Sequence, residues 1–222
     1  MFKHHRYPKA IILQAVYLKL RFTLSYRDIE ELLQLRGICV DHSTIQRWVF
    51  KFSPEIEKNM HKRKFKVGDS WRMDETYIKV GGKDRYLYRA VDKDGNTVDF
   101  LLTKRRQRMS AQKFFIKAIG NNGKPRVINI DKSGSNYSAI RSVNKRSLSM
   151  KKIKIRSVKY LNNIVEQDHR KIKRRIAITT DFKEFESAQR TLAGIEVVNI
   201  IMKNQVIDSK ATYFKTFVSL AA

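Results

Sequence analysis

The chain of 222 residues carries 47 Lys and Arg against 21 Asp and Glu, a formal charge of +26. Its 42% hydrophobic and 10% aromatic content is enough for a real core, which excludes wholesale disorder. The single cysteine, Cys39, excludes a disulfide framework and a cysteine-cluster zinc site, and stretches such as Ala10–Val16 and Val197–Met202 are too short to span a bilayer.

Up to about residue 60 the periodicity is helical. Tyr7-Pro8 opens a helix with Ile11, Ala15 and Leu18 on one face. Gln14 and Lys19 interrupt its apolar run, so the basic start at Lys3 and Arg6 leads into a helix and not a signal peptide. After Thr23-Leu24, Ser25 and Asp28 form a helix start, and Ile29, Leu32 and Leu33 supply the apolar stripe. Gly37 ends that helix. Asp41 or Ser43 caps a third, with Ile45, Trp48, Val49 and Phe52 inward and His42, Thr44, Gln46 and Arg47 outward. Two helices joined by a short glycine-containing turn form the pattern of a helix-turn-helix, in which outward residues early in the second helix reach base edges. Thr44, Gln46 and Arg47 are the candidates for that readout. An ordinary three-helix unit with solvated polar residues has the same pattern.

Ser53-Pro54 and the basic run His61–Lys66 read as a linker, and after Gly68 the period changes to two. Trp71–Val80 reads as a strand, Gly81-Gly82-Lys83-Asp84 as a hairpin turn and Arg85–Val91 as its partner. Asp94-Gly95-Asn96 turns into a third strand, Thr97–Thr103, followed by a helix over Met109–Ile119 and a short buried strand, Arg126–Ile130. The chain is then basic and irregular to about Lys159, and Leu161–Arg175 and Lys183–Met202 close as helices. This order predicts an α/β fold, a mixed sheet flanked by helices, behind a small all-α domain.

The charge is unevenly placed. Residues 1–60 hold 10 basic and 6 acidic residues, 61–130 hold 18 and 7, and 131–222 hold 19 and 8. Lys132 to Val165 has nine Lys or Arg and no acid. Such an excess predicts a polyanionic partner, nucleic acid first, because Lys and Arg neutralise phosphates and release condensed counterions. No basic amphipathic helix with an aromatic face argues for a membrane surface. The composition predicts an intracellular, cytoplasmic protein.

Phosphodiester chemistry needs an activated oxygen nucleophile and neutralisation of charge on the leaving oxygen. Two divalent ions about 3.5–4 Å apart do both, and hard cations demand carboxylate oxygens. Asp74 stands in the first strand, with Thr76 on its face and Glu75 on the other, so Glu75 is expected to be far less sensitive to replacement. Asp131 ends the short buried strand. Glu166 lies on a helix that places His169, Arg170 and Lys173 on roughly its own face. Each acid alone also fits a turn cap, a surface ion pair or a solvated side chain.

The residues around the three acids carry a resemblance. Trp71–Val80, Tyr86–Asp92, Asp99-Phe100, Asn129-Ile130-Asp131-Lys132 and Asn162–Arg170, running on through Ile172–Arg175, resemble bacterial DDE transposases of the insertion-sequence-six family. Thirty-four residues separate Asp131 from Glu166, the spacing class of that family's second and third acids. The resemblance implies an RNase H-like catalytic domain over 68–205, preceded by a helix-turn-helix domain over 1–60 and a basic linker over 61–67, with a tail over 206–222. It implies that Asp74, Asp131 and Glu166 bind two Mg²⁺ (or Mn²⁺) ions and that Arg170 and Lys173 contact DNA near the cut. The implied partners are double-stranded terminal inverted repeats, target DNA and further copies of the chain in a nucleoid-associated synaptic complex. Two departures stand out: Asp181 before Phe182 and Asn204 before Gln205, both where the family commonly has Gly. The competing reading is a catalytically inactive DNA-binding protein, either a decayed transposase or a helix-turn-helix regulator. A weaker one is another RNase H-like nuclease, which would not need the capped helices of Ser25–Phe52.

Overall fold

In a computed structural model, which describes residues 2, 5–131, 133–146, 151–179 and 182–221, the N-terminal helix signals act where they stand in the sequence. Lys3, Lys132 and Asp181 lie outside the described residues. Helix α1 (Lys9–Arg21) begins directly after Pro8, but its buried side is centred on Ile12, Leu13, Val16 and Leu20, while Ile11 and Leu18 sit at the margin. Even Lys19 is buried, donating to the Leu24 carbonyl at 2.8 Å and lying over the Tyr26 ring. Helix α2 (Tyr26–Gln34) carries a complete capping box: Ser25 Oγ accepts from the Asp28 amide at 3.0 Å, and the Asp28 carboxylate accepts from the Ser25 amide at 2.7 Å. Leu32 remains exposed, so Ile29 and Leu33 alone form the buried stripe. Gly37, at φ +73°, makes the turn that follows.

Helix α3 (His42–Arg63) is capped by Asp41, whose carboxylate accepts from the Ser43 amide at 2.8 Å. It buries Ile45, Trp48, Val49 and Phe52 and then continues through Pro54. Proline removes the donor to the carbonyl four residues earlier, which is why the sequence reads as a break. The helix persists because Phe52, Ile56 and Met60, spaced four apart, are all fully buried. Residues 61–63 of the expected linker are therefore its last turn.

The chain divides into two compact units, Met1–Phe65 with Arg174–Ala222, and Lys66–Lys173. Helix α7 (Phe185–Met202) is buried at every position from Thr191 to Ile201 and lies along α3 and α1, as a helix apolar on all sides must. Its close approach needs Gly194, where a Cβ would stand 2.6 Å from Leu20 and 2.7 Å from Ser53 Oγ. Asn204, at φ +55°, ends α7 in the left-handed conformation that explains why glycine is common there and why asparagine serves. The expected tail contains helix α8 (Tyr213–Leu220), with Phe217 and Leu220 buried. Arg63 donates to the Ser219 and Ile207 carbonyls, each at 3.1 Å, and Asn59 to the Leu220 carbonyl at 2.9 Å.

The second unit holds one five-stranded sheet in the order β3-β2-β1-β4-β5. Strands β1 (Ser70–Val80), β2 (Lys83–Asp92) and β3 (Thr97–Thr103) form an antiparallel meander, turned at Gly81-Gly82 with both φ positive. Strands β4 (Val127–Asn129) and β5 (Lys154–Arg156) run parallel to β1. Helix α4 (Arg108–Asn122) and helix α5 (Gly134–Arg146) cover one face, where Trp71, Met73, Tyr88 and Ile128 meet Phe114, Phe115, Ala139 and Ile140. A short 3₁₀ turn (Lys159–Asn162) leads into α6 (Asn163–Thr179). This is the mixed, helix-flanked sheet of the RNase H-like class. Helix α5 and β5 occupy the stretch expected to be irregular. Among the described residues no helix is long and apolar enough to cross a membrane.

Deleting residues 206–222 removes the buried Val206, Phe217 and Leu220 from the first unit. Burial of each large apolar side chain is worth about 1.5–3 kcal/mol, so urea denaturation of the truncated chain should show a loss of several kcal/mol. An unchanged midpoint would make this segment a dispensable tail.

Candidate functional site

The parallel ladder between β1 and β4 pairs Ser70 with Val127, Trp71 with Ile128 and Arg72 with Asn129. Asp74 and Asp131 each lie two residues beyond the last pair, so equal steps along parallel strands bring them to one height at the end of the shorter strand. Glu166, in the first turns of α6, comes to the same place: all three acids line one cavity of about 720 Å³, with Ile130, Val158 and Asn162 among its other walls.

Two buried polar arrangements seat α6 on the sheet. Asn129, fully buried, donates to the Asn162 side chain at 2.7 Å and the Val158 carbonyl at 3.0 Å, and accepts from the Val158 amide at 3.1 Å. That fixes the turn from which α6 springs. Arg89, paired with Asp74 across the β1–β2 ladder and fully buried, makes a 2.8 Å ion pair with Asp168, two residues after Glu166. Removing either partner would break a buried ion pair, at a cost of about 3–5 kcal/mol. His169 lies beside Asp74, Nε2 to Oδ2 at 3.9 Å, and burial together with the Arg89 charge pushes its pKa down to about 3, so the ring is neutral. These anchors fall within the motifs quoted from the sequence, but nothing in residue spacing assigned them roles.

Glu75 is not the bystander its strand face suggested. Its side chain is only 5% exposed; Arg106 binds one oxygen and Asn136 donates to the other at 2.8 Å. Both donors also face Asp131: Asn136 at 3.2 Å from Oδ1 and Arg106 at 3.7 Å from Oδ2. Strand alternation places Glu75 correctly on the opposite face, but α5 and the loop before α4 come round that face to the same sheet end.

Burial raises the pKa of Asp74 from its ordinary 3.8 to about 7, and the charges of Glu75, Asp131 and Glu166 push the same way. A carboxyl whose ionisation is opposed by burial and by neighbouring acids around a shared cavity is one that a hard divalent cation relieves. The three acids are not drawn tightly together. Among the described residues, the trio of such side chains with ligand atoms within 4.8 Å of one another is Glu30 of α2 with Asp41 and His42 at the start of α3. Asp92 and Asp99 are structural. Asp92 accepts amide bonds from Gly68, Asp94 and Asn96, each at 2.9 Å, and Asp99 is held by Lys117 at 3.2 Å and Asn121 at 2.8 Å.

The other candidates fall as follows. Gln46 and Arg47 are exposed on the second turn of α3, Thr44 is half-buried, and Arg47 donates to Ser43 Oγ at 3.1 Å. Arg170 is exposed on α6, and the Lys173 ammonium stands 4.6 Å from the Tyr77 ring centre. A second concavity of about 690 Å³ in the sheet unit is lined by Arg108, Arg141, Lys145 and Lys152 with Ser138, Ser142 and Asn144, and by no acid.

Residues 68–205 match the DDE domain family. The chain is 42% identical over 202 residues to the transposase for insertion sequence-like element IS431mec of Staphylococcus aureus strain Mu50, covering 91% of this chain and 88% of that one. It is 41% identical over the same shares to the transposase for insertion sequence element IS257 in transposon Tn4003, also from Staphylococcus aureus. Among solved structures, the HTLV-2 integrase catalytic core domain (trimeric form) aligns over 62% of this chain and 88% of that one, at 20% identity and TM-score 0.44.

The raised Asp74 pKa has a sign that stability can read. The folded state favours the protonated carboxyl, so stability falls as pH rises from about 4 to about 7 and levels above it. Asp74→Asn abolishes that ionisation. In chelator-containing buffer the variant should be more stable than the parent by a few kcal/mol at pH 8, with the gap narrowing towards pH 4 in urea titrations. A gap that does not change with pH would contradict the assignment.

Proposed function

The chain belongs to the insertion-sequence-six family of DDE transposases, and from that premise we propose that Asp74, Asp131 and Glu166 are its catalytic metal ligands. The observation that carries this is the equal step of Asp74 and Asp131 beyond the β1–β4 ladder, with Glu166 lining the same cavity. Bound Mg²⁺, or Mn²⁺ in its place, supplies activation of the attacking oxygen and neutralisation of the leaving oxygen's charge. Asp74 would hold the ions from the rigid sheet, Asp131 from just beyond the end of β4, and Glu166 from a helix tied down by Asn129 and the Arg89–Asp168 pair. Exposed Arg170 and half-buried Lys173 hold the phosphates flanking the scissile bond.

The reaction so performed has two steps. Water attacks the phosphodiester at the element end, its oxygen bonds to phosphorus, and the element's 3′-oxygen leaves as a free hydroxyl. That hydroxyl then attacks a target phosphodiester, forming a new 3′-O–P bond as the target's own 3′-oxygen departs. The outcome is a cointegrate that replication completes. Two ends must be held together, so the working form is a homo-oligomer on double-stranded DNA. In the helical unit, α2 and α3 act as the helix-turn-helix that reads the terminal inverted repeats through Thr44, Gln46 and Arg47. The acid-free groove beside Arg141 and Lys145 holds backbone phosphates, which carry no sequence information.

Asp74→Ala, Asp131→Ala and Glu166→Ala should each abolish cleavage and joining of end-containing DNA, while gel-shift affinity stays within a few-fold. Variants that still nick and join would remove the residues from the reaction. Arg47→Ala should weaken binding to repeat DNA by about 1–3 kcal/mol more than binding to random duplex, measured at one salt concentration. Equal losses would make Arg47 a phosphate contact.

A further inference from the structure

Of the four carboxylates at the end of β1 and β4, Glu75 has no part in the reading above. It is also the most enclosed, at 5% side-chain exposure, and a carboxylate so enclosed must be compensated by charge and hydrogen bonds. Arg106 Nε and Nη2 bind one of its oxygens, and the fully buried Asn136 binds the other at 2.8 Å. Asp131 is differently placed. It lies past the end of β4, where no ladder fixes it, and its side chain is 40% exposed. Its contacts are the Ser133 amide at 3.2 Å and the same two side chains that hold Glu75: Asn136 at 3.2 Å and Arg106 at 3.7 Å.

We propose that Glu75 is a positioning residue of the metal site: through Arg106 and Asn136 it aims the Asp131 carboxylate into the cavity and keeps Arg106 from neutralising it. This rests on the metal-ligand reading of Asp131. Arg106 has one guanidinium for two carboxylates. The short contacts go to Glu75 and the long one to Asp131, so Asp131 keeps its charge available to a cation. Asn136 divides a single amide nitrogen between the same two acids and sets their relative orientation. Without the Glu75 charge, Arg106 swings fully onto Asp131 and takes the place a cation would occupy. The elements joined are β1, the loop before α4 and the first turn of α5, so the arrangement couples the Asp131 side chain to three otherwise separate segments.

The test measures Mn²⁺ affinity of the full chain by electron paramagnetic resonance, following the Mn²⁺ that is lost in Asp131→Asn. Glu75→Gln should weaken that binding by about 10–100-fold, the usual effect of losing a ligand's outer partner. Asp99→Asn removes a carboxylate equally buried in the same sheet but tied to Lys117 and Asn121, and should leave Mn²⁺ affinity within about twofold, a change too small for an outer partner. If Glu75→Gln does not fold, Asn136→Ser, which cuts the bridge and keeps the ion pair, should weaken binding by at least about tenfold. Affinity unchanged in the Glu75 and Asn136 variants, with Asp131→Asn defective, overturns the positioning role alone. Affinity unchanged in Asp131→Asn overturns the metal-ligand reading and this inference with it. Equal weakening by Asp99→Asn would reduce Glu75 to a general stabiliser of the sheet.

Discussion

Three residue pairs, Ser70 with Val127, Trp71 with Ile128 and Arg72 with Asn129, hold β1 parallel to β4, and the site follows from where that ladder stops. Because β4 is short and β1 long, the sheet presents an open end at which Asp74 still belongs to a strand and Asp131 has just left one. The acid that needs a rigid mount receives it from β1 and β2. The acid beyond the ladder is held by side chains instead, those of Asn136 and Arg106. The third acid depends on the same register, since Asn129, the last paired residue of β4, is also the residue that ties down the turn before α6.

Gathering carboxylates in this way works against folding. Asp74 is buried close enough to other acids that its ionisation is opposed at neutral pH. The fold offsets this with cations placed one layer out, Arg89 on Asp168 and Arg106 on Glu75, so that positive charge locks the scaffold without capping the cavity. The same logic scales to the whole chain. A net charge of +26 leaves a surface suited to phosphates, with acids spared for structural turns such as Asp92 and for the acidic cavity.

Much of this was legible in the sequence because it is written locally. The capping box of Ser25 and Asp28, the alternation of β1 and the glycine turn at Gly81-Gly82 are signals confined to a few neighbours. Helix α5 and β5 were not, since Arg141, Lys145, Lys154 and Arg156 dilute a thin apolar pattern of Ala139, Ile140 and Ile155. Pro54 misled because a helix interrupted in its backbone is held here by tertiary burial at Ile56 and Met60. Helix α7 reads as a helix from its apolar run, but an all-round apolar surface does not say which neighbours surround it. Glu75 shows the deeper limit. Period two gives the face of a side chain, whereas its role depends on Arg106 and Asn136, 31 and 61 residues away along the chain.

Asp74, Asp131 and Glu166 are proposed to converge on divalent ions at the end of this ladder. The most direct measurement is anomalous diffraction from crystals of the chain bound to end-containing DNA and soaked with Mn²⁺. Two peaks about 3.5–4 Å apart, bounded by the carboxylates of these three residues and facing the scissile phosphate, are the predicted result. Manganese bound only at Glu30, Asp41 and His42, or a cavity without an anomalous peak while DNA is in place, would contradict that convergence.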